Sequence, residues 1–100
     1  MILVTVMYPK GPRFDRDYYL KTHMPLVRER WSGMGLHDAT VVFGQGTPDG
    51  GAAPFQVMAL LKFESADAFA QAAAAHGAEI FADIPNFTEA QAQVQINEFA

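Results

Sequence analysis

The stretch DYYLKTHMPLVRERW, residues 17–31, has the pattern of an amphipathic helix and determines how the segments around it are interpreted. Its apolar side chains recur at spacings of four, three and four residues, which is typical of a helix that packs one face against a core. The residues of this stripe are Leu20, Met24, Val27 and Trp31. Asp15 is the expected N-cap, and SGMG at residues 32–35 is expected to end the helix.

Pro25 lies near the middle of this helix, two residues after His23. Proline has no backbone N–H, it clashes with the carbonyl group four residues earlier, and it disfavours helical geometry at the residue before it. We therefore expect the helix to break or kink between Lys21 and Pro25, with His23 at the break and facing a pocket. Alternatively, Pro25 occupies the first turn of a second helix, where the missing N–H costs nothing.

Four segments rich in apolar and β-branched residues predict strands. They are ILVTVMY (2–8), LHDATVVFG (36–44), FQVMALLKF (55–63) and AQVQINEFA (92–100). A second helix, residues 66–76, is expected to begin after Ser65 and to end at Gly77, and a further helical turn stops at Pro85. The order β-α-β-β-α-β predicts one α+β domain over residues 1–100, ferredoxin-like, with an antiparallel four-stranded sheet and both helices on one face.

Composition excludes several classes of protein. Half of the 100 residues are hydrophobic and 18% are charged, which is typical of a globular domain. The net charge is −4 and the seven Lys and Arg residues are scattered, so no nucleic-acid partner is expected. No apolar run approaches the roughly 18 residues of a membrane span, and the N-terminal segment does not resemble a signal peptide, so we expect a cytoplasmic protein without a membrane partner.

Metal and cofactor sites are not expected either. The chain has no cysteine, and its three histidines, His23, His37 and His76, lack the spacing of metal ligands. His76 is expected to act as a cation near the end of the second helix. No phosphate-binding or dinucleotide-binding motif is present.

The predicted sheet is apolar on both faces. In the third strand, alternate residues from Phe55 to Phe63 form one face, yet Met58 and Leu60 lie on the other. A face open to water normally alternates to polar residues more cleanly. This pattern favours a homodimer in which a second sheet covers the face, and a monomer with an apolar exposed face is the alternative.

His23 and Asp83 are the candidates for catalysis. Histidine titrates near neutral pH, which suits proton transfer, and a carboxylate close to His23 would fix its tautomer and raise its pKa. Asp83 and Asn86 also fit a purely structural role, because Pro85 and Asn86 are typical of a turn.

Several aromatic residues are candidates for holding a small-molecule ligand. They are Tyr8, Phe14, Tyr18, Tyr19 and Trp31. Flat apolar ligands bind among such side chains. The same residues fit an ordinary hydrophobic core, so both interpretations stay open.

Five segments in this order resemble the EthD family over roughly residues 1–98. They are MYPKGPRFDRDYYLKTHMPLV (7–27), Trp31, GL (35–36), FQVMALLKFES (55–65) and ADIPNFT (82–88). The resemblance implies a dimeric α+β barrel, in which two protomers pack sheet against sheet and a pocket lies between the sheet and the helices of each. His23 matches the HMPLV motif of the family. Four residues match its DIPNFT motif and are implied site residues: Asp83, Asn86, Phe87 and Thr88.

The resemblance leaves the reaction open. EthD-like proteins are often labelled reductases or oxidoreductases, and their wider superfamily includes cofactor-free monooxygenases, isomerases, polyketide cyclases and haem enzymes. We expect an enzyme in which His23 moves a proton, Asp83 orients it, and aromatic side chains hold a small apolar substrate without a cofactor. The alternatives are a non-catalytic binding protein and a dimer whose pocket is vestigial.

Overall fold

The computed structural model describes residues 1–100, and they form one four-stranded sheet with helices on one face. The strands are β1 (Ile2–Pro9), β2 (Leu36–Phe43), β3 (Phe55–Phe63) and β4 (Gln93–Glu98). The strand order is β2-β3-β1-β4, and every neighbouring pair is antiparallel. The predicted ferredoxin-like α+β fold is confirmed, and each strand boundary lies within two residues of its predicted position.

The first helical region is continuous but has three parts. They are α1 (Arg16–Tyr18), a π-helical turn (Tyr19–His23) and α2 (Met24–Trp31). Asp15 caps its beginning as predicted, because the Asp15 carboxylate accepts a hydrogen bond from the Tyr18 backbone N–H. A short 3-10 turn, Ser32–Met34, leads to Gly35 at a φ of 102°, where glycine is favoured because it has no Cβ.

The expected break before Pro25 takes a different form. The chain does not leave helical geometry: it widens into the π-helical turn, in which the Met24 backbone N–H bonds to the Tyr19 carbonyl, five residues earlier. Pro25 then falls in the first turn of α2, the position that the alternative interpretation gave it. The prediction of a break was wrong, although the irregularity lies where the proline indicated it.

The π-helical turn also changes which side chains face the core. Leu20, a member of the predicted apolar stripe, is 44% exposed, whereas Tyr19 is fully buried. Two residues four apart share a face in an α-helix, but the wider turn aligns Tyr19 rather than Leu20 with Met24. The rest of the stripe is buried as predicted: Met24, Val27 and Trp31.

Helix α3 (Ala66–Ala82) is longer than predicted. Ser65 caps its beginning, since its hydroxyl accepts a hydrogen bond from the Ala68 N–H. Gly77 does not end the helix: the alanine-rich sequence favours continuation, and burial of Ile80 beyond it outweighs the cost of about 1 kcal/mol of an internal glycine. His76 is therefore internal to the helix, and its predicted position at a helix end was wrong.

The core lies between the helices and one face of the sheet. On that face the alternate residues Val4, Val6 and Tyr8 of β1 are buried, and β3 contributes Val57, Ala59, Leu61 and Phe63. No helix of the chain is long and apolar enough to cross a bilayer. The cytoplasmic location stays a prediction.

Candidate functional site

His23 and Asp83 lie side by side, although sixty residues separate them in the chain. His23 is at the end of the π-helical turn and is only 3% exposed. Asp83 ends α3, and the 3-10 turn Ile84–Asn86 follows it. The Asp83 Oδ2 atom lies 2.9 Å from the Nδ1 atom of His23. The structure therefore brings the two candidate catalytic residues together.

Three donors hold the Asp83 carboxylate in place. The Tyr18 hydroxyl donates to Oδ1 at 2.6 Å, the Asn86 side-chain amide donates to Oδ1 at 2.9 Å, and His23 approaches Oδ2. Partial burial acts to raise the pKa of Asp83, but the hydrogen bonds from Tyr18, Asn86 and His23 outweigh it and lower that pKa. Asp83 is thus ionised near neutral pH and can only accept hydrogen bonds.

The ionised carboxylate fixes the tautomer of His23. Its Nδ1 atom must carry the proton that Asp83 accepts, so the Nε2 atom of the neutral ring has an unshared electron pair. Burial lowers the pKa of His23, and the opposing influence of Asp83 does not cancel that effect. The imidazole is therefore neutral near pH 7, and its contact with Asp83 is a charge-assisted hydrogen bond rather than a salt bridge.

His23 is the polar end of an internal cavity of ≈ 20 Å³, which has room for about one water molecule. The cavity lies between the helices and the covered face of the sheet. Apart from His23 its lining is apolar or aromatic: Val6, Tyr8, Tyr19, Met24, Val27, Trp31, Ala59, Leu61, Ile80 and Phe81. A molecule in the cavity therefore finds few polar groups other than the imidazole to bind.

Phe81 lies beside both this cavity and a larger groove at the surface. The groove has a volume of ≈ 640 Å³ and follows the end of α3 and residues 88–92. Phe81 lines both spaces, and its side chain is 37% exposed. Phe81 is thus the one residue that the cavity and the groove share.

Two predicted ligand contacts, Tyr8 and Tyr19, line the cavity. Their rings pack edge to face with centroids 5.7 Å apart. Burial raises the pKa of both phenols, so both are neutral. The Tyr8 hydroxyl interacts with the Tyr19 oxygen and contributes to the pKa shifts of both, but no group accepts the buried Tyr19 O–H, which is uncommon for a buried polar group.

Trp31, the third predicted aromatic contact, has a mixed role. It lines the cavity, but its indole N–H already donates to the Ala72 carbonyl at 2.9 Å. Its ring also packs edge to face against Phe63 and Phe69. Trp31 therefore offers a ligand only apolar surface, and much of that surface holds the helices to the sheet.

The remaining implied site residues support the pair and do not line the cavity. Asn86 donates to Asp83, as described above. Thr88 is 1% exposed, and its hydroxyl donates to the Arg13 carbonyl and accepts from the Ala90 N–H. The fully buried ring of Phe87 contacts five rings at centroid distances of 4.7 to 6.2 Å: Tyr8, Phe14, Tyr18, Tyr19 and His23. Ligand contact by these three residues stays a prediction.

Two functional positions were missed by the sequence interpretation. The sequence places Tyr18 among the aromatic candidates for ligand contact, whereas its hydroxyl binds Asp83. Phe81, which lines the cavity, is not singled out by the sequence. In a regular α-helix, residues five apart such as Tyr18 and His23 lie on different faces. Only the structure, with its π-helical turn, shows that both side chains bind the Asp83 carboxylate. No three His, Asp or Glu side chains of the chain converge as metal ligands.

Comparison with known proteins identifies related sequences and structures. The EthD domain family matches residues 9–91. An EthD-like protein from Ralstonia eutropha JMP134 has a similar crystal structure, with a TM-score of 0.88 and 40% identity over 97% of this chain and 89% of that one. An ethyl tert-butyl ether D (EthD) family protein from Bacillus halodurans C-125 has a TM-score of 0.80 and 24% identity, over 100% and 99% of the two chains. No curated protein sequence matches.

Proposed function

The chain belongs to the EthD family, and we propose that it is a small enzyme that transfers protons on a small, largely apolar organic molecule. One observation carries this proposal: a buried, neutral imidazole whose Nδ1 side is fixed by Asp83 and whose ring lines an apolar cavity. A base held in this way at a ligand cavity is suited to general acid–base catalysis.

In the proposed reaction His23 acts through its Nε2 atom. Nε2 takes a proton from a C–H bond of the substrate and forms an imidazolium ion, which the adjacent Asp83 carboxylate stabilises. Returning the proton to a different carbon completes an isomerisation, and a cyclisation needs the same acid and base. An oxidation would in addition require a substrate that gives electrons to dioxygen. The oxidoreductase alternative is therefore limited to substrates that are easily oxidised.

The second candidate is a binding protein without catalysis. The apolar lining of the cavity favours it, because such a lining suits retention of a small hydrophobic molecule as well as its conversion. The two candidates differ in what His23 contributes. A binder needs the shape of the imidazole, whereas the enzyme needs its basic nitrogen.

Hydrogen–deuterium exchange tests the enzyme without knowledge of the natural substrate. The protein is incubated in heavy water with small cyclic ketones and lactones, and loss of C–H signals is followed by proton NMR. We expect exchange to be about a hundredfold slower or more in His23→Gln, as is typical on removal of a general base. His37→Gln, which alters an exposed histidine of β2, is the matched control and should exchange like the wild type.

Either of two results contradicts the enzyme. One is a His23→Gln variant that is folded and exchanges at the wild-type rate. The other is ligand binding by both proteins with no exchange in either, which favours the binding protein instead.

We also propose that the uncovered face of the sheet packs against a second copy of the chain. Its central strands carry Leu3, Met7, Met58 and Leu60, all half-buried with no helix above them. Apolar side chains in this number are more typical of an interface than of a surface open to water.

Light scattering should therefore give twice the mass of one chain. Leu60→Lys should halve that mass and Gln71→Lys on α3 should not, whereas a monomeric wild type contradicts the proposal.

A further inference from the structure

We propose that the Tyr19 hydroxyl holds the oxygen of the substrate, and that the substrate is a small carbonyl compound with an acidic C–H beside the carbonyl group. This inference rests on the proton-transfer function proposed above and names its class of substrate. It begins from the hydroxyl that has no partner within the protein.

The Tyr8 hydroxyl is near enough to influence the pKa of Tyr19, but no group of the chain accepts the buried Tyr19 O–H. Burying such a group is unfavourable unless something binds it. Tyr19 is fully buried and lines the cavity, so a molecule inside the cavity is the available partner. The core around it satisfies its other polar groups, as the indole N–H of Trp31 shows.

The chemistry of the site selects an oxygen acceptor. A neutral phenol donates its proton to an oxygen, and burial keeps Tyr19 in that neutral form. No Lys or Arg lines the cavity, so a ligand with a full negative charge would lack a counter-charge there. A neutral carbonyl oxygen fits both conditions, because it accepts a hydrogen bond and enters an apolar cavity at low cost.

The position of Tyr19 beside His23 gives the hydrogen bond a catalytic role. The two rings are stacked, with centroids 5.4 Å apart and planes 16° apart, and both line one cavity. When Nε2 removes the proton beside the carbonyl group, the electron pair of that C–H bond becomes a C=C bond. The electrons of the C=O π bond then move to oxygen, and the enolate oxygen accepts the Tyr19 O–H more strongly than the ketone did. The imidazolium ion returns the proton to carbon, so no oxidant or reductant is consumed.

Binding of 4-nitrophenol tests the oxygen contact without catalysis. The absorbance of this probe distinguishes its phenolate from its phenol, and 4-nitrotoluene carries a methyl group in place of the oxygen. We expect the wild type to bind the neutral phenol, Tyr19→Phe to bind it about tenfold more weakly, and both to bind 4-nitrotoluene alike, because only the hydrogen bond from Tyr19 is lost. The comparator is Tyr8→Phe, which removes the neighbouring phenol.

A thermal melt separates this role from a structural one. Since no protein group accepts the Tyr19 O–H, the Tm of Tyr19→Phe should not fall below that of the wild type. A lower Tm with unchanged 4-nitrophenol binding assigns the hydroxyl to the fold and overturns the inference. A loss of 4-nitrophenol binding in Tyr8→Phe but not in Tyr19→Phe overturns it as well, and so does a wild type that does not bind the neutral phenol.

The exchange assay keeps the two proposals apart. Exchange that needs His23 but is unaffected by Tyr19→Phe overturns the role of Tyr19 and leaves the proton-transfer function standing. Binding of neutral 4-nitrophenol that depends on Tyr19, in a protein that exchanges no ketone, supports the oxygen contact and overturns catalysis. We expect both losses: exchange falls in Tyr19→Phe and in His23→Gln, and 4-nitrophenol binding falls in Tyr19→Phe.

Discussion

His23 and Asp83 each lie two residues before a proline, but the chain departs from α-helical geometry in opposite ways around them. Before Pro25 it widens into a π-helical turn that ends at His23. Around Pro85 it tightens into a 3-10 turn, with the Asn86 N–H bonded to the Asp83 carbonyl. The π-helical turn directs the His23 imidazole into the core, and the 3-10 turn leaves the Asp83 carboxylate at the edge of the core. A π-helical turn inside a helix is often found at a functional site.

The two turns also differ in how completely their polar atoms are bound. On the Asp83 side, Tyr18, Asn86 and His23 all donate to one carboxylate, and Arg13 donates to the Pro85 carbonyl at 2.8 Å. On the His23 side the Tyr19 hydroxyl is unbound. Satisfied hydrogen bonds hold a group rigidly, whereas an unbound buried donor is available to a ligand. We infer that the 3-10 turn after Asp83 holds the site in place, and that the π-helical turn ending at His23 carries the groups that act on a ligand.

The largest expected effect comes from the ring that joins the two turns. Phe87→Ala removes a fully buried side chain that contacts both Tyr19 and His23, and it should lower the free energy of unfolding by about 3–5 kcal/mol. Phe81→Ala is the matched control. Because Phe81 is 37% exposed, that change should cost clearly less than Phe87→Ala. Urea denaturation measures both, and equal losses would show that Phe87 is not the centre of this cluster.

A smaller effect is expected on the pH dependence of stability. Burial lowers the pKa of His23 in the folded chain, whereas the unfolded chain binds the proton near the ordinary value of 6.5. The unfolded state therefore holds more protons between the folded pKa and 6.5, and stability falls with falling pH across that window. One such group gives a slope of at most about 1.4 kcal/mol per pH unit.

Two variants assign that slope to its source. His23→Gln should lose the part of the slope that lies below 6.5, whereas His37→Gln should keep it. Asp83 acts at lower pH: its lowered pKa gives stability that is present above 3.8 and is lost as the pH falls through the folded value. A slope below 6.5 that survives His23→Gln would place the titrating group elsewhere.

The sequence predicts the strands and helix caps of the molecule better than its candidate functional site. Strand positions follow from local apolar patterns, and the caps Asp15 and Ser65 follow from side chains that bind the nearby backbone. The exposure of Leu20 and the burial of Tyr19 do not follow from such patterns, because the patterns assume a regular α-helical period and the π-helical turn changes that period. Asp83 could be suspected as the partner of His23, but only the folded chain shows that Tyr18 and Asn86 complete its surroundings.

The smallest expected effect concerns Pro25 itself. If packing of Tyr19 and His23 holds the π-helical turn, Pro25→Ala should change the free energy of unfolding by less than about 1 kcal/mol and leave the NMR titration of His23 unchanged. The same is expected of Pro85→Ala, because the Pro85 carbonyl that accepts from Arg13 is kept. A shifted His23 titration in Pro25→Ala alone would mean that the alanine N–H has restored an α-helical turn. The proline would then be what holds the imidazole in the cavity, and the two turns would differ in cause as well as in shape.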